Sequence, residues 1–500
     1  MKSEIPHPSS TARVGLWLFL RGLAAAYLFA FAALIPQVLG LLGSRGILPA
    51  HGLFSFLRGE LGGSSFFGLP TLFWLGDGDG LLQAVPWIGA ALSLLLFFDV
   101  APILLLPLLW FLYLSVVNVG QSFFAFQWDG LLLEAGLLAV LAVPLRLRPR
   151  FLSLPPQPPA FALFLLRWLL FRLILLSGLV KLASGDPSWR DLSALSYHYF
   201  TQPLPTVPAW FFFHAPLLFH QACAVFVFAV ELLFVWGAFG QPFLRRQAAA
   251  GIAALQLFIA LTGNYAFFNW LTLALTCLLV DDACFLSLSG ALRSAIVRPY
   301  KAMPLSPFRK TVLYGLGGFL LFWSLVFSLE GVGMGGLFPD FVRRGEEAVL
   351  PWRSTNFYGL FAVMTKTRGE ILLEGSDDGT DWKPYRFPAK PGDVRRAPRW
   401  VAPYQPRLDW QMWFAALSTG DKTPWFRNFM VRLLQGSPDV LRLLDGNPFP
   451  DHPPRYVRAL SFDYRFTSGE ERKATGAWWT AEPEGWYYPT LSLEAEAPPK

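Results

Sequence analysis

Long apolar runs separated by short polar stretches fill the first 330 residues of the chain, and the pattern changes after residue 340. Crossing about 30 Å of hydrocarbon takes roughly 17–25 mostly apolar residues in a helix. Nine runs approach or meet that length: 14–43, 81–98, 101–118, 129–146, 160–183, 215–240, 247–263, 266–281 and 311–329. Beyond 340, apolar and polar positions mix at the short periods of a soluble domain. Residues 355–365 and 456–467 alternate as strands do, and 370–387 reads as a hairpin around Asp377-Asp378-Gly379. RLDWQMWFAAL (407–417) and PWFRNFMVRLLQG (424–436) have helical spacing, the second stopping at Gly436. The expected fold class is a polytopic α-helical membrane protein of about nine spans with a C-terminal soluble, sheet-rich α+β domain. The expected divisions are a cytoplasmic tail (1–13), a helical transmembrane domain (14–335), an extracytoplasmic α+β domain (336–490) and a flexible tail (491–500).

The stretch LTGNYAFFNWLTLALTCLLVDD (261–282) tests this reading. The apolar run from 247 to 280 would be about 51 Å long as one helix, too long for a single crossing. Gly263-Asn264-Tyr265 is the expected turn, because Gly and Asn tolerate turn geometry. The alternative is one tilted helix, which would put the C-terminal domain on the other side. Asn269 is expected to hydrogen-bond between packed helices, the alternative being a place in an outer-facing polar pocket.

Charge orients the spans. With the N-terminus in the cytoplasm, the cytoplasmic segments hold 12 Lys/Arg and the opposite loops three, Arg45, Arg58 and Arg190. Arg245-Arg246 before the 247–280 run and the basic 293–310 segment after it belong to the same side. The chain carries a net charge of +7, and residues 1–339 hold 19 Lys/Arg against 13 Asp/Glu while 340–500 hold 22 against 21. The basic excess is thus a topology signal, and no Lys/Arg block suggests nucleic-acid binding. Cys223, Cys277 and Cys284 lie in or beside apolar runs without a CxxC, so no disulfide framework or metal site is expected. The first apolar run exceeds a signal-peptide core and reads as an uncleaved helix.

Ionisable residues inside spans are costly and need partners or a cavity. Arg21, Asp129, Glu134, Arg167, Arg172, Lys181 and Glu231 are of this kind. Counting residues from the span ends groups Glu231 with Arg167 and Arg172, and Asp129 and Glu134 with Lys181. Structural pairing is one reading of these groups, and a reactive or transport site the other. The outer loops FQWDGLLLEAG (126–136) and 177–216 are aromatic-rich, with Trp189 and His198 as candidate contacts for a client or ligand. Trp400, Trp410 and Trp413 in the C-terminal domain are further candidates if part of that patch is exposed. The acids at 377–378 do not match a calcium loop, and the domain lacks GxSxG, HExxH, P-loop and GxGxxG motifs.

Several segments in order resemble the lipase maturation factor family: GSRGILPA (43–50), FQWDGLLLEAG, SGLVKLASGDPSWRDLSALSYHYFTQPLPTVPAW, TGNYAFFNWLTLAL, Asp281-Asp282, VAPYQPRLDWQMWFAAL and GNPFP (446–450). The resemblance spans about 40 to 490. It implies a polytopic protein with its C-terminal domain outside the cytosol. Animal members assist the folding and assembly of dimeric lipases in the endoplasmic reticulum, without catalysing a reaction. The Leu/Pro/Arg-rich composition and the missing KDEL-type ending suggest a bacterial-type member in the inner membrane, facing the periplasm. On this reading the partners are membrane lipids and exported client proteins, and no cofactor is expected. SGLVKLASGDPSW is also similar to a segment of the vitamin K-dependent γ-carboxylase, in which the position matching Lys181 is a base. That likeness implies the alternative function, an intramembrane enzyme acting on a quinone or lipid-soluble substrate with Lys181 as base.

Overall fold

A computed structural model describes residues 11–61, 65–149, 153–298 and 305–493. Of the expected tails, 1–13 and 491–500, residues 1–10 and 494–500 lie outside these residues. Each of the nine apolar runs holds a helix. They are α1 (Arg13–Leu34), α2 (Asp79–Phe97), α3 (Pro102–Val119), α4 (Gln127–Ala142), α5 (Ala160–Ala183), α8 (Leu217–Phe228), α9 (Pro242–Thr262), α10 (Phe268–Thr276) and α11 (Pro307–Gly331). Two short helices, α6 (Ala194–Thr201) and α7 (Val207–Phe213), lie between α5 and α8. Proline opens α3, α9 and α11, where its missing N–H leaves no hydrogen bond unmade. α8 continues through a π-helical turn, Ala229–Leu233, and a 3₁₀ segment to Phe239.

Among the described residues, six helices are long and apolar enough to cross a membrane: α1, α2, α3, α5, α8 with its extension, and α11. The expectation of nine full spans is therefore not met. α4 has 16 residues and rises about 24 Å, and α10 is shorter still. α9 has 21 residues but begins with Arg245 and Arg246 in its first turns. All nine nevertheless alternate between two ends of one bundle. At the first end Asp282 accepts from the Val14 amide (2.8 Å) and the Thr11 hydroxyl (2.7 Å), capping α1. Arg309 donates there to the Val143 carbonyl (2.6 Å), and Arg245 pairs with Asp281 (2.5 Å). α1 and α10 cross closely, since a Cβ on Gly22 would collide with that of Ala274. Asn269 of α10 donates to Gln256 of α9 (2.8 Å), the helix-packing role expected of it.

The C-terminal domain sits on the second end. Its sheet is antiparallel in the order β2-β1-β3-β4, from β1 (Gly369–Ser376), β2 (Lys383–Tyr385), β3 (Tyr456–Phe466) and β4 (Trp479–Leu491). The β1–β2 turn is the expected one. Asp378 accepts from the Thr380 and Asp381 amides (both 2.8 Å), and Gly379 takes a positive φ of 79°. α13 (Arg407–Ala416) and α14 (Pro424–Leu434) pack on the sheet, burying Leu408, Met412, Phe426 and Met430 against Leu373, Val457 and Phe466. A further helix, α12 (Asp340–Val349), joins the bundle to this domain.

The strand expected at 355–365 is absent. That segment is irregular because its amides are satisfied by side chains of the bundle instead of by a neighbouring strand. The Asn356 amide donates to Glu134 (3.0 Å), Gly359 to Gln127 (3.3 Å) and Met364 to Asp186 (2.6 Å).

Candidate functional site

The candidate site is the junction between bundle and C-terminal domain, where most of the predicted charges are found. Phe126-Gln127-Trp128-Asp129 opens α4 with Asp129 fully buried in its first turn. Arg407, the first residue of α13, meets it with two parallel hydrogen bonds of 2.8 and 3.0 Å. The same guanidinium donates to the Phe123 carbonyl (2.7 Å) and the Tyr113 hydroxyl (3.2 Å), and its carbon lies 3.6 Å from the Phe124 ring centre. Tyr113 in turn donates to Asp129. A fork that matches a carboxylate while stacking on an aromatic ring is a task for Arg and not for Lys. Beside it, Trp128 donates to the Gln405 side chain (2.8 Å), and Gln37 of the α1 exit donates to the Gln405 carbonyl (2.8 Å). Two motifs some 280 residues apart thus close on each other.

A second cluster joins α4, α5 and the 355–365 segment. Glu134 pairs with Arg172 and accepts from the Tyr358 hydroxyl (2.8 Å) and the Asn356 amide, while Arg172 donates to the Asn356 carbonyl (3.1 Å). A third centres on Arg368, which donates to the carbonyls of Phe200 (2.8 Å) at the end of α6 and of Gln202 and Pro203 (2.9 Å) just after it. Glu370 neutralises Arg368 at 2.7 Å and Lys390 at 2.8 Å, all three buried. In a fourth, Lys181 at the end of α5 gives all three N–H bonds away, two to Glu231 (2.9 Å each) and one to the Ser177 carbonyl (3.0 Å). It also lies 5.3 Å over the Trp189 ring.

These pairs replace the predicted groups. Glu231 joins Lys181, not Arg167 or Arg172. Arg172 joins Glu134, Asp129 joins Arg407, and Arg167 donates to the Leu278 carbonyl (3.0 and 2.8 Å). Residue counting assumes that neighbouring helices begin level. They do not, because α6 and α7 occupy the space above the end of α5. The first turn of α8 packs on those short helices, through Phe219–Phe212 (5.5 Å) and His220–Tyr199 (5.6 Å), and Glu231 in the π-helical turn beyond α8 is level with Lys181 (2.9 Å).

The aromatic candidates divide. Trp189 is buried and donates to the Phe361 carbonyl (3.0 Å). Trp410 is buried against Trp128 (4.6 Å), and Trp413 donates to the Thr201 carbonyl (2.8 Å). Trp400 alone of the four is exposed, at 52%. His198 faces a cavity described below. The turn residue Asn264 does more than reverse the chain. Its Oδ1 accepts from the Val401 (2.7 Å) and Ala402 (2.9 Å) amides, and its Nδ2 donates to the Arg399 carbonyl (2.8 Å).

Two family models cover the chain: the lipase maturation factor transmembrane domain matches residues 14–287, and the lipase maturation factor C-terminal domain matches 354–489. The chain belongs to the lipase maturation factor family. It is 36% identical to "Lipase maturation factor 2" of Rattus norvegicus over 97% of this chain and 84% of that protein. It is 33% identical to "Lipase maturation factor 1" of Homo sapiens over 96% of this chain and 88% of that one. No solved structure matches it significantly. These relatives are vertebrate; they support the family, but neither the bacterial origin expected from composition nor the carboxylase likeness of 177–189. The motifs that carried the family resemblance, FQWDG and QPRLDW, are the two halves of the Asp129–Arg407 junction.

Within this family fold, one acid of the C-terminal domain is set against its surroundings. Burial raises the Asp409 carboxyl to about 6, opposed by the Lys390 and Ala389 amides that donate to its Oδ1 (2.8 and 2.7 Å). A carboxyl whose folded pKa exceeds its unfolded value of about 3.8 stabilises the fold most when protonated, below the unfolded value. That contribution is lost as pH rises through about 6. At about 1.4 kcal/mol per pH unit the loss approaches about 3 kcal/mol. Asp409→Asn keeps an oxygen for both amides and removes the charge. Melting curves at pH 4 to 8 are expected to show a flatter profile than wild type, with the gain at pH 7 and above. A profile parallel to wild type would refute the assignment.

Proposed function

We propose that the chain is a membrane-anchored maturation factor that helps exported proteins, lipases among them, reach their active folded state. The relation to lipase maturation factors across both parts of the chain supports this reading most directly. Its working part is taken to be the C-terminal domain (336–490) with the aromatic outer loops, acting by contact with a partly folded client. The transmembrane domain (14–335) holds that surface at the membrane on the extracytoplasmic side. The 12-to-three distribution of Lys/Arg and the alternation of nine helices favour that orientation.

Deleting the gene in its own host should lower the active yield of at least one secreted lipase several-fold while its transcript is unchanged. Unaltered activity of every secreted lipase would refute the role. Orientation is tested separately with His452→Cys, an exposed position of the C-terminal domain whose side chain is 63% accessible. A membrane-impermeant maleimide should label it from the extracytoplasmic side of sealed vesicles and leave wild type unlabelled. Labelling only after permeabilisation would reverse the topology.

A further inference from the structure

α8 and α9 pack tightly where they are joined, with Gly237 against the Leu244 carbonyl and Gly251 against Phe234. Toward the second end they diverge, and Phe212 of α7 wedges between Phe219 of α8 (5.5 Å) and Phe258 of α9 (5.1 Å). Beneath this wedge is a cavity of about 70 Å³. Val227, Leu255, Phe258 and Ile259 form its apolar wall, and Lys181, Glu231 and His198 its polar part. Glu231 reaches it from the π-helical turn of α8, a local widening often found at functional sites.

The valences left over in the polar part are acceptors on Glu231 and His198 and one donor, the buried Tyr199 hydroxyl, which has no hydrogen-bond partner among the described residues. Lys181 has no N–H to spare, and Glu231 accepts only from it, so carboxylate lone pairs remain. Burial, with Lys181 nearby, lowers the His198 pKa to about 4 and keeps the ring neutral. Its Nε2 is 3.4 Å from the Tyr265 hydroxyl, which itself donates to Gln202 (2.9 Å). Tyr265 therefore receives the imidazole N–H, and Nδ1 is left as an acceptor. An anionic head group would meet no free cation here.

We infer that this cavity binds the head of a neutral, hydroxyl-bearing lipid, whose O–H donates to Glu231 or His198 while its chain leaves along the divergence between α8 and α9. The site is independent of which exported proteins the chain matures. The probe is a long-chain alcohol carrying a diazirine near the hydroxyl, photolysed with the intact protein in phosphatidylcholine nanodiscs. Adducts are expected in 189–199 and at Leu255, Phe258, Ile259 and Thr262, to be displaced by unmodified hexadecanol, and to be absent with the matching carboxylate probe at pH 8. Ile259→Trp, which fills the cavity, should lose these adducts and retain labelling at the outward-facing Leu257 and Leu261. The wild-type competition stands even if that variant does not fold. Adducts confined to outward-facing residues, adducts not displaced by hexadecanol, or equal labelling by the carboxylate would overturn the site and leave it a water-filled packing defect.

Discussion

Arg407→Met is expected to destabilise the whole chain by about 3–5 kcal/mol, because it strands a buried carboxylate. Asp129 is fully buried in the first turn of α4, and its remaining hydrogen bond would come from Tyr113 alone. The Phe123 carbonyl would lose its donor as well. Arg407→Lys is expected to rescue little, since an ammonium cannot form both parallel bonds and stack on Phe124. Asp129→Asn in the Arg407→Met background removes the stranded charge and keeps an acceptor for Tyr113, so much of the loss should return. The measurement is the fraction of monodisperse protein left in detergent after a heating series. A single variant that survives heating as wild type does would show that this pair does not hold the junction. The prediction bears on function because Arg407 opens α13, and α13 carries Trp410 and Trp413 onto the bundle.

Much of this architecture is written in local patterns. Apolar runs became helices, Asp378-Gly379 became the hairpin turn, and the 3.6-residue spacing at 407–417 and 424–436 became α13 and α14. What local pattern could not supply was partnership. Asp129 and Arg407 are 278 residues apart, and nothing within a window around either points to the other. Arg368 looks like an ordinary surface arginine in the sequence, yet three carbonyls and a carboxylate enclose it. β4 was missed for a different reason. Pro483 and Gly485 interrupt its alternation, and the strand survives as a bulged edge, paired to β3 with shifted register near both. The 355–365 segment fails in the opposite sense. It has the alternation of a strand, but Glu134, Gln127 and Asp186 take the amides a neighbouring strand would have used. Depth along the helices was misjudged because α6 and α7 displace the start of α8.

The Glu134 cluster makes a sharper demand, since one carboxylate there serves both a helix pair and a loop. Glu134→Leu should be among the most damaging single changes, again about 3–5 kcal/mol, because Arg172 is buried at 2% exposure with no other counter-charge beside it among the described residues. Combining it with Arg172→Met replaces the ion pair by apolar groups, and such exchanges of a whole buried pair are often neutral or better. Bundle stability is therefore expected to recover in the double variant. The loop should not recover, because the Asn356 amide and the Tyr358 hydroxyl remain without their acceptor. Limited trypsin digestion reads this directly. The double variant should melt close to wild type in detergent while cleaving faster after Arg353, an exposed residue at the head of the 355–365 segment. If the double variant is as unstable as Glu134→Leu alone, the ion pair is not the source of the damage. If it melts normally and resists trypsin as wild type does, Glu134 is not what ties the C-terminal domain to α4 and α5.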